Sequence, residues 1–319
     1  MSKKTGYLFG ILITIIVGMI LMWYFCCGAS GNVSNEITTT ETAPPDQTTR
    51  AITPEVATQM GFTLKDPDGN FAYSSNENFN FSTSAFTHLK PLDNTVTMGV
   101  DALKDYFSKN RNQGKFIDIT GFYDEGEQNT SALPNLGLAR ATDVKNYFVS
   151  RGISSQQINT YGELRTTLTP KDGVYLGPIN YQLGTSVQGR DGSNKEEKAL
   201  AAIKDRLDKE PLVLYFGNAQ STINLSAEQR QKVADLNRYL DKVEGSRISI
   251  TGHTDNTGSR TTNTRLGLKR ANFAKGYFVR NGIAENKIST ASKGPDEPIA
   301  PNTTEAGRAK NRRCVVTLN

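Results

Sequence analysis

Two side chains of opposite charge stand out in the C-terminal part of the sequence. Asp255 lies in the polar run Thr251-Gly-His-Thr-Asp-Asn-Thr-Gly-Ser259, and Arg270 lies in Leu266-Gly-Leu-Lys-Arg-Ala271. A carboxylate accepts from an ammonium, and a guanidinium forks onto a carboxylate. Facing one another across a turn, the two could hold a zwitterion. The competing reading is that Asp255 caps the helix or bridges Arg270 and merely holds the loop. His253 sits two residues away, but no nucleophile and no paired acid accompany it, so the pattern is not that of an enzyme. His88 and His253 are the only histidines, and Cys26, Cys27 and Cys314 the only cysteines. That set offers neither a metal-ligand cluster nor a disulfide framework, and no cofactor is expected.

Stepping outward, Ile248 and Ile250 alternate with Ser249, the pattern of a strand that delivers Asp255. Asn256, Gly258 and Ser259 are turn formers. From Leu266 to Val279 the apolar residues recur at roughly helical spacing, which puts Arg270 on a helix. The surrounding segments complete a β-α-β-α-β-β order over 211–319: a strand at Leu212–Phe216, a helix from the N-cap Ser226 to about Val243, strands at Arg247–Thr251, Lys287–Ser292 and Arg313–Leu318, and Gly282 closing the helix of Arg270. Cys314 falls in the last strand. Residues 69–183 give the same order, with a short strand where Phe79 and Phe81 alternate, a helix over Val96–Phe107, a strand at Phe116–Ile119, a helix over Arg140–Val149, and strands at Gln157–Tyr161 and Ile179–Leu183. Residues 184–210 form a polar joint and a helical stretch, either a spacer or the first helix of the next domain.

The two segments read as copies. Leu136-Gly-Leu-Ala-Arg-Ala141 matches Leu266-Gly-Leu-Lys-Arg-Ala271, Tyr147-Phe-Val-Ser-Arg-Gly-Ile153 matches Tyr277-Phe-Val-Arg-Asn-Gly-Ile283, and Thr120-Gly-Phe-Tyr-Asp124 matches Thr251-Gly-His-Thr-Asp255. The first copy keeps the pair as Asp124 and Arg140, a possible second site. Its loop carries Glu125, Glu127, Gln128 and Leu133 where the second carries Asn256, Gly258, Ser259 and Asn263. The extra acids could compete for Arg140, so the first copy reads as degenerate.

At the N-terminus, residues 7–25 are apolar and uncharged, preceded by Lys3 and Lys4. At ~1.5 Å per residue the run nearly spans a ~30 Å hydrocarbon core. It ends in the bulky Met22-Trp-Tyr-Phe-Cys-Cys27, unlike a cleavage site, so residues 1–27 are expected to be an uncleaved anchor with the N-terminus in the cytoplasm. With no ionisable group inside it, the segment reads as a tether rather than a channel. Residues 28–68 read as a flexible linker, its Thr/Ser/Asn/Gly-rich stretch spanning about 30 Å as a coil. The formal net charge of +5 is mild and no Lys/Arg run stands out, so nucleic acid is not indicated as a partner.

Several spaced motifs in 211–319 together resemble the OmpA-like C-terminal domain: Gly252-His-Thr-Asp-Asn-Thr-Gly-Ser259, Asn263, Leu266 with Arg270-Ala271, Gly282-Ile283, and Asn302-Thr-Thr followed by Gly307-Arg-Ala and Asn311-Arg-Arg313. The resemblance implies an α+β fold, the two-layer β-α-β-α-β-β sandwich, which the repeat makes tandem and the apolar run of residues 7–25 sets behind an N-terminal transmembrane helix. It also implies peptidoglycan binding in a Gram-negative envelope: Asp255 and Arg270 would hold the diaminopimelate of the stem peptide. Asn263 and Arg313 match positions lining that pocket, and Thr257 and Asn218 are weaker carry-overs, Gly217 disturbing the alignment of Asn218. Arg308, Arg312 and Arg313 otherwise read as a solvated basic face, with Arg313 the one expected to reach the pocket.

Two functions follow. One is a non-catalytic tether between a membrane, the inner one, and peptidoglycan, with the folded domains in the periplasm. The other is an envelope scaffold whose domains bind a protein partner.

Overall fold

The computed structural model describes residues 57–109, 112, 114–185, 192–217 and 223–319. The expected anchor and most of the linker, residues 1–56, lie outside the described residues, as does Asn218. Among the described residues no helix is long and apolar enough to cross a membrane.

In the second half, β8 (Leu212–Tyr215), β9 (Ile248–His253), β10 (Ile288–Gly294) and β11 (Arg313–Leu318) form one sheet in the order β10-β9-β11-β8. The β9–β10 pair is parallel, and β11 runs antiparallel to both β9 and β8. Two helices cross over, α4 (Ala227–Lys242) and α5 (Arg260–Arg280). Ser226 caps α4 in a reciprocal capping box with Gln229. Ser259 caps α5 by accepting from the N–H of Thr262. That places the start of α5 six residues before the expected Leu266. The first turns, Arg260-Thr-Thr-Asn-Thr-Arg265, carry no apolar residue, so no periodicity marks them. A short helix, α6 (Glu305–Asn311), precedes β11.

The first half repeats the centre of this arrangement. Strand β4 (Lys115–Tyr123) pairs in parallel with β5 (Ile158–Leu164) and antiparallel with β7 (Ile179–Thr185). Helix α1 (Asn94–Phe107) buries Val96, Val100, Leu103 and Phe107 against it, and α2 (Leu136–Ser150) lies alongside. Two expectations are corrected here. Strand β3 (Phe81–Ser82) does not join the sheet but pairs with β6 (Val174–Tyr175) as a separate ribbon. Ordered structure also begins before residue 69: β1 (Phe62–Lys65) pairs with β2 (Ala72–Ser75), and Phe62 and Leu64 are fully buried in the first core.

The halves are packed together within one compact unit. Ala132, Leu133 and Ala139 of the first half join the core of the second, with Leu212, Leu236 and Phe278. The N–H of Ala132 donates to Asn281 Oδ1 at 2.6 Å, Arg230 donates to the carbonyl of Ser131, and Lys145 pairs with Asp241 at 2.5 Å. Helix α3 (Gly192–Lys209) adds Ile203 and Leu207 to the second core, so it is that half's first helix rather than a free spacer.

Candidate binding site

The candidate site lies at one end of the second sheet, where β9 ends, β11 begins and the chain leaves β8. Strand β9 delivers Asp255 two residues past its last member, His253. Helix α5 delivers Arg270 at its centre, and its approach is set by two glycines. A Cβ on Gly252 would stand 1.9 Å from the carbonyl oxygen of Gly267, so only a glycine pair lets α5 lie this close to β9.

Arg270 is 5% exposed. Its Nη1 lies 3.5 Å from the carbonyl of His253, and its guanidinium sits over the Phe216 ring at 5.7 Å. It makes no ion pair with a described carboxylate. Burial lowers its pKa, the expected cost of a desolvated cation. Asp255 is not its partner. Arg312 Nη1 reaches Asp255 Oδ2 at 3.0 Å, and Arg312 Nη2 reaches Glu305 at 2.8 Å. Asp255 Oδ1 accepts the N–H of Thr257 at 3.0 Å. Burial raises the Asp255 pKa, but the Thr257 N–H and then Arg312 outweigh it, and the carboxyl is held below its ordinary value.

Asn263, 4% exposed on the first turn of α5, donates to the carbonyl of Thr257 at 3.1 Å. Thr257 and Asn263 thus fix the loop that aims Asp255. Arg313 is a correction to the sequence expectation: its Nη2 donates to the carbonyl of Glu297 at 3.0 Å, and its Nη1 lies 3.5 Å from that of Asn311. Arg312, expected on a solvated face, is the arginine that meets Asp255. No signal in the sequence separates the two neighbours. Which one turns inward depends on where β11 begins. Asn311 is structural, accepting from the N–H groups of Ile299 and Ala300 and donating to Ala300 and Asn302. Cys314 is fully buried, and burial pushes its thiol up to about 12.

The second expected pair, Asp124 and Arg140, does not form. Arg140 is fully buried and clamped by Glu127, with Nη1–Oε2 at 2.9 Å and Nη2–Oε1 at 2.5 Å. Its remaining donors go to the carbonyls of Ala85, Phe122 and Ser82. Asp124 Oδ1 instead accepts the N–H of Gly126 at 2.9 Å. Of the two acids expected to compete for Arg140, Glu127 takes it.

The OmpA family model matches residues 88–172 and 215–312, more than half of the chain and all of this site's elements from Tyr215 to Arg312. The chain belongs to the OmpA family. It is 44% identical over 87 residues to the peptidoglycan-binding protein ArfA of Mycobacterium tuberculosis (strain ATCC 25618 / H37Rv), a match covering 26% of this chain and 27% of ArfA. It is 38% identical over 108 residues to outer membrane protein Omp38 of Acinetobacter baumannii (strain ATCC 19606), covering 34% of this chain and 30% of that protein. The peptidoglycan-associated lipoprotein of Buchnera aphidicola subsp. Baizongia pistaciae is 29% identical over 137 residues, covering 43% and 77%. Among solved structures, the peptidoglycan-associated lipoprotein from Burkholderia pseudomallei aligns at 25% identity and TM-score 0.31 over 34% of this chain and 89% of that one. The chain thus spans about a quarter of the length of ArfA. An OmpA-family fold of mixed α/β layers accounts for both family segments, and in the second of them the Gly252–Gly267 contact fixes Arg270 against the end of the sheet.

Proposed function

We propose that the second half grips peptidoglycan by the diaminopimelate of its stem peptide, without catalysis. Arg270 takes the carboxylate and Asp255 the ammonium on the same carbon. Arg312 holds Asp255 in place, and Thr257 and Asn263 shape the loop. The observation that carries this reading is the buried Arg270 guanidinium with no described carboxylate beside it. A desolvated cation with open donors is costly by itself and strongly favours an anionic ligand. The printed names of ArfA and of the lipoproteins, one peptidoglycan-binding and two peptidoglycan-associated, support the substrate class.

We further propose that the chain arose by tandem duplication of one OmpA-like domain. In this reading residues 7–25 anchor it in the inner membrane of a Gram-negative cell, with residues 28–68 as a linker and the folded halves in the periplasm. The whole is a tether between membrane and wall. Co-sedimentation with purified sacculi tests the grip. The described chain should pellet with sacculi, and Asp255→Ala or Arg270→Ala should remain in the supernatant with an unchanged circular dichroism spectrum. No pelleting of the intact chain would reject the peptidoglycan reading in favour of a scaffold that binds a protein partner.

A further inference from the structure

Arg140 and Arg270 occupy the same frame in the two halves. Each lies three residues past a helical glycine that touches its strand, Gly137 against Gly121 and Gly267 against Gly252. Each directs Nη1 at the carbonyl one residue past the strand glycine, that of Phe122 and that of His253. Each guanidinium lies over a phenylalanine ring, Phe81 of β3 at 5.4 Å and Phe216, just past β8, at 5.7 Å. The loops match as well: the N–H of Gly126 donates to Asp124 Oδ1 and the N–H of Thr257 to Asp255 Oδ1, two residues on in each case.

One residue further the halves part. Three residues past Asp124 stands Glu127; three past Asp255 stands Gly258. The Glu127 side chain is 1% exposed. Its oxygens take both ends of the Arg140 guanidinium, the N–H of Asp124 at 3.0 Å and the N–H of Ser84 at 2.8 Å. Those are the partners a small carboxylate ligand would find. Gly258 has φ +90, and a Cβ built on it would meet nothing within 4 Å. Arg270 correspondingly has no described carboxylate beside it.

We propose that the first half is a carboxylate-binding site filled by its own chain, with Glu127 as the tethered counterpart of an amino-acid ligand's carboxylate, and that Gly258 leaves the matching place in the second half open. The five N–H groups of Arg140 are all engaged within the protein. The Arg140 site of the first half therefore takes no ligand, and of the two matched arginines Arg270 alone is open among the described residues. Removing the Glu127 side chain beyond Cβ opens a cavity with the guanidinium and two backbone N–H groups at its wall, which a free carboxylate the size of acetate fills. This concerns the first half and stands whether or not the second half grips peptidoglycan.

The test is thermal unfolding of the Arg270→Ala chain, which lacks the open site, with and without Glu127→Ala. Sodium acetate is the probe and sodium chloride at equal ionic strength the control. The Arg270→Ala parent should show no acetate-specific shift. With Glu127→Ala added, acetate at ten times its dissociation constant should raise Tm by about 3–6 °C, saturably, because a ligand that binds only the folded state stabilises by mass action. Adding Arg140→Ala should abolish the shift. If the Glu127→Ala chain does not fold in chloride, refolding yield is read instead, and recovery in acetate alone supports the proposal. A folded Glu127→Ala chain that ignores acetate overturns it, as does failure to refold in both salts.

Discussion

Arg312 Nη1 stands 3.0 Å from Asp255 Oδ2, and the same guanidinium reaches Glu305 on α6 at 2.8 Å. Asp255 is therefore charge-balanced before any ligand arrives, while Arg270 is not. The two ends of the proposed zwitterion site differ in preparation: Arg270 has no described carboxylate beside it, and Asp255 must be shared between an incoming ammonium and Arg312. Arg312 Nε is buried without a hydrogen-bond partner among the described residues, so its position follows from the two carboxylates rather than from a full set of bonds.

Arg312→Met keeps the stem and removes the charge. Asp255, whose side chain is 13% exposed beside Arg312, is then left with only the Thr257 N–H to compensate. Breaking a buried pair from one side costs about 3–5 kcal/mol, and partial exposure trims this to about 2–3. Urea denaturation should show that loss, and sacculus binding should fall with it because Asp255 is no longer aimed. Unchanged stability would mean that Arg312 only decorates the surface.

Leu133 fills, in sequence alignment, the place that Asn263 holds in the second half. It is 1% exposed and packed in the second half's core. Leu133→Ala should cost about 2–5 kcal/mol, the usual range for a buried leucine. Because the residue belongs to the first half and its contacts to the second, residues 57–319 should unfold in one calorimetric transition that moves as a whole. Two separate transitions, with only one displaced, would contradict a shared core.

The strand ends and the Asp255–Arg270 neighbourhood were legible because they rest on local pattern: period-two alternation at Ile248 and Ile250, glycines at 252 and 267, and the cap at Ser226. The change at Leu133 from a polar to an apolar residue was also visible, but its meaning lies in a contact between halves that no local pattern encodes. The bond from Asp255 to Arg312 spans 57 residues and depends on the start of β11. Phe62 and Leu64 alternate as a strand should, yet the run is four residues long beside a polar stretch. Helix α6 is short and holds no large apolar residue, so its N-cap Thr304, which accepts from the N–H of Gly307, was its only mark.

Gly252→Ala tests the approach of α5 to β9. The added Cβ would stand 1.9 Å from the carbonyl oxygen of Gly267 and 2.5 Å from its carbon, both backbone atoms that cannot rotate away. The helix must lift and carry Arg270 with it. Overpacking of this kind typically costs about 1–3 kcal/mol. Binding to sacculi should fall by more than the stability change explains, at temperatures where the variant is fully folded. Retained binding would show that the position of Arg270 does not depend on the glycine contact.

His253 is 4% exposed, and its Nδ1 is buried without a hydrogen-bond partner among the described residues. Burial first, and then the charge of Arg313, hold its pKa down to about 4. The folded protein therefore keeps it neutral, while the unfolded chain protonates it near the ordinary histidine value of 6.5. A depressed folded pKa means that the stability tied to this group is fully present above pH ~6.5 and is lost as pH falls from there toward ~4. At ~1.4 kcal/mol per pH unit, stability should drop by about 2 kcal/mol between pH 6.5 and 5, a window in which ordinary carboxylates remain mostly ionised. The first half supplies the control substitution, since Phe122, 2% exposed, holds the matching position. His253→Phe should remove most of that slope in urea denaturation at pH 6.5, 6.0, 5.5 and 5.0 while leaving stability at pH 7.5 within about 1.5 kcal/mol, the usual cost of a volume-conserving core exchange. An equally steep decline in the variant would assign the acid sensitivity to another group.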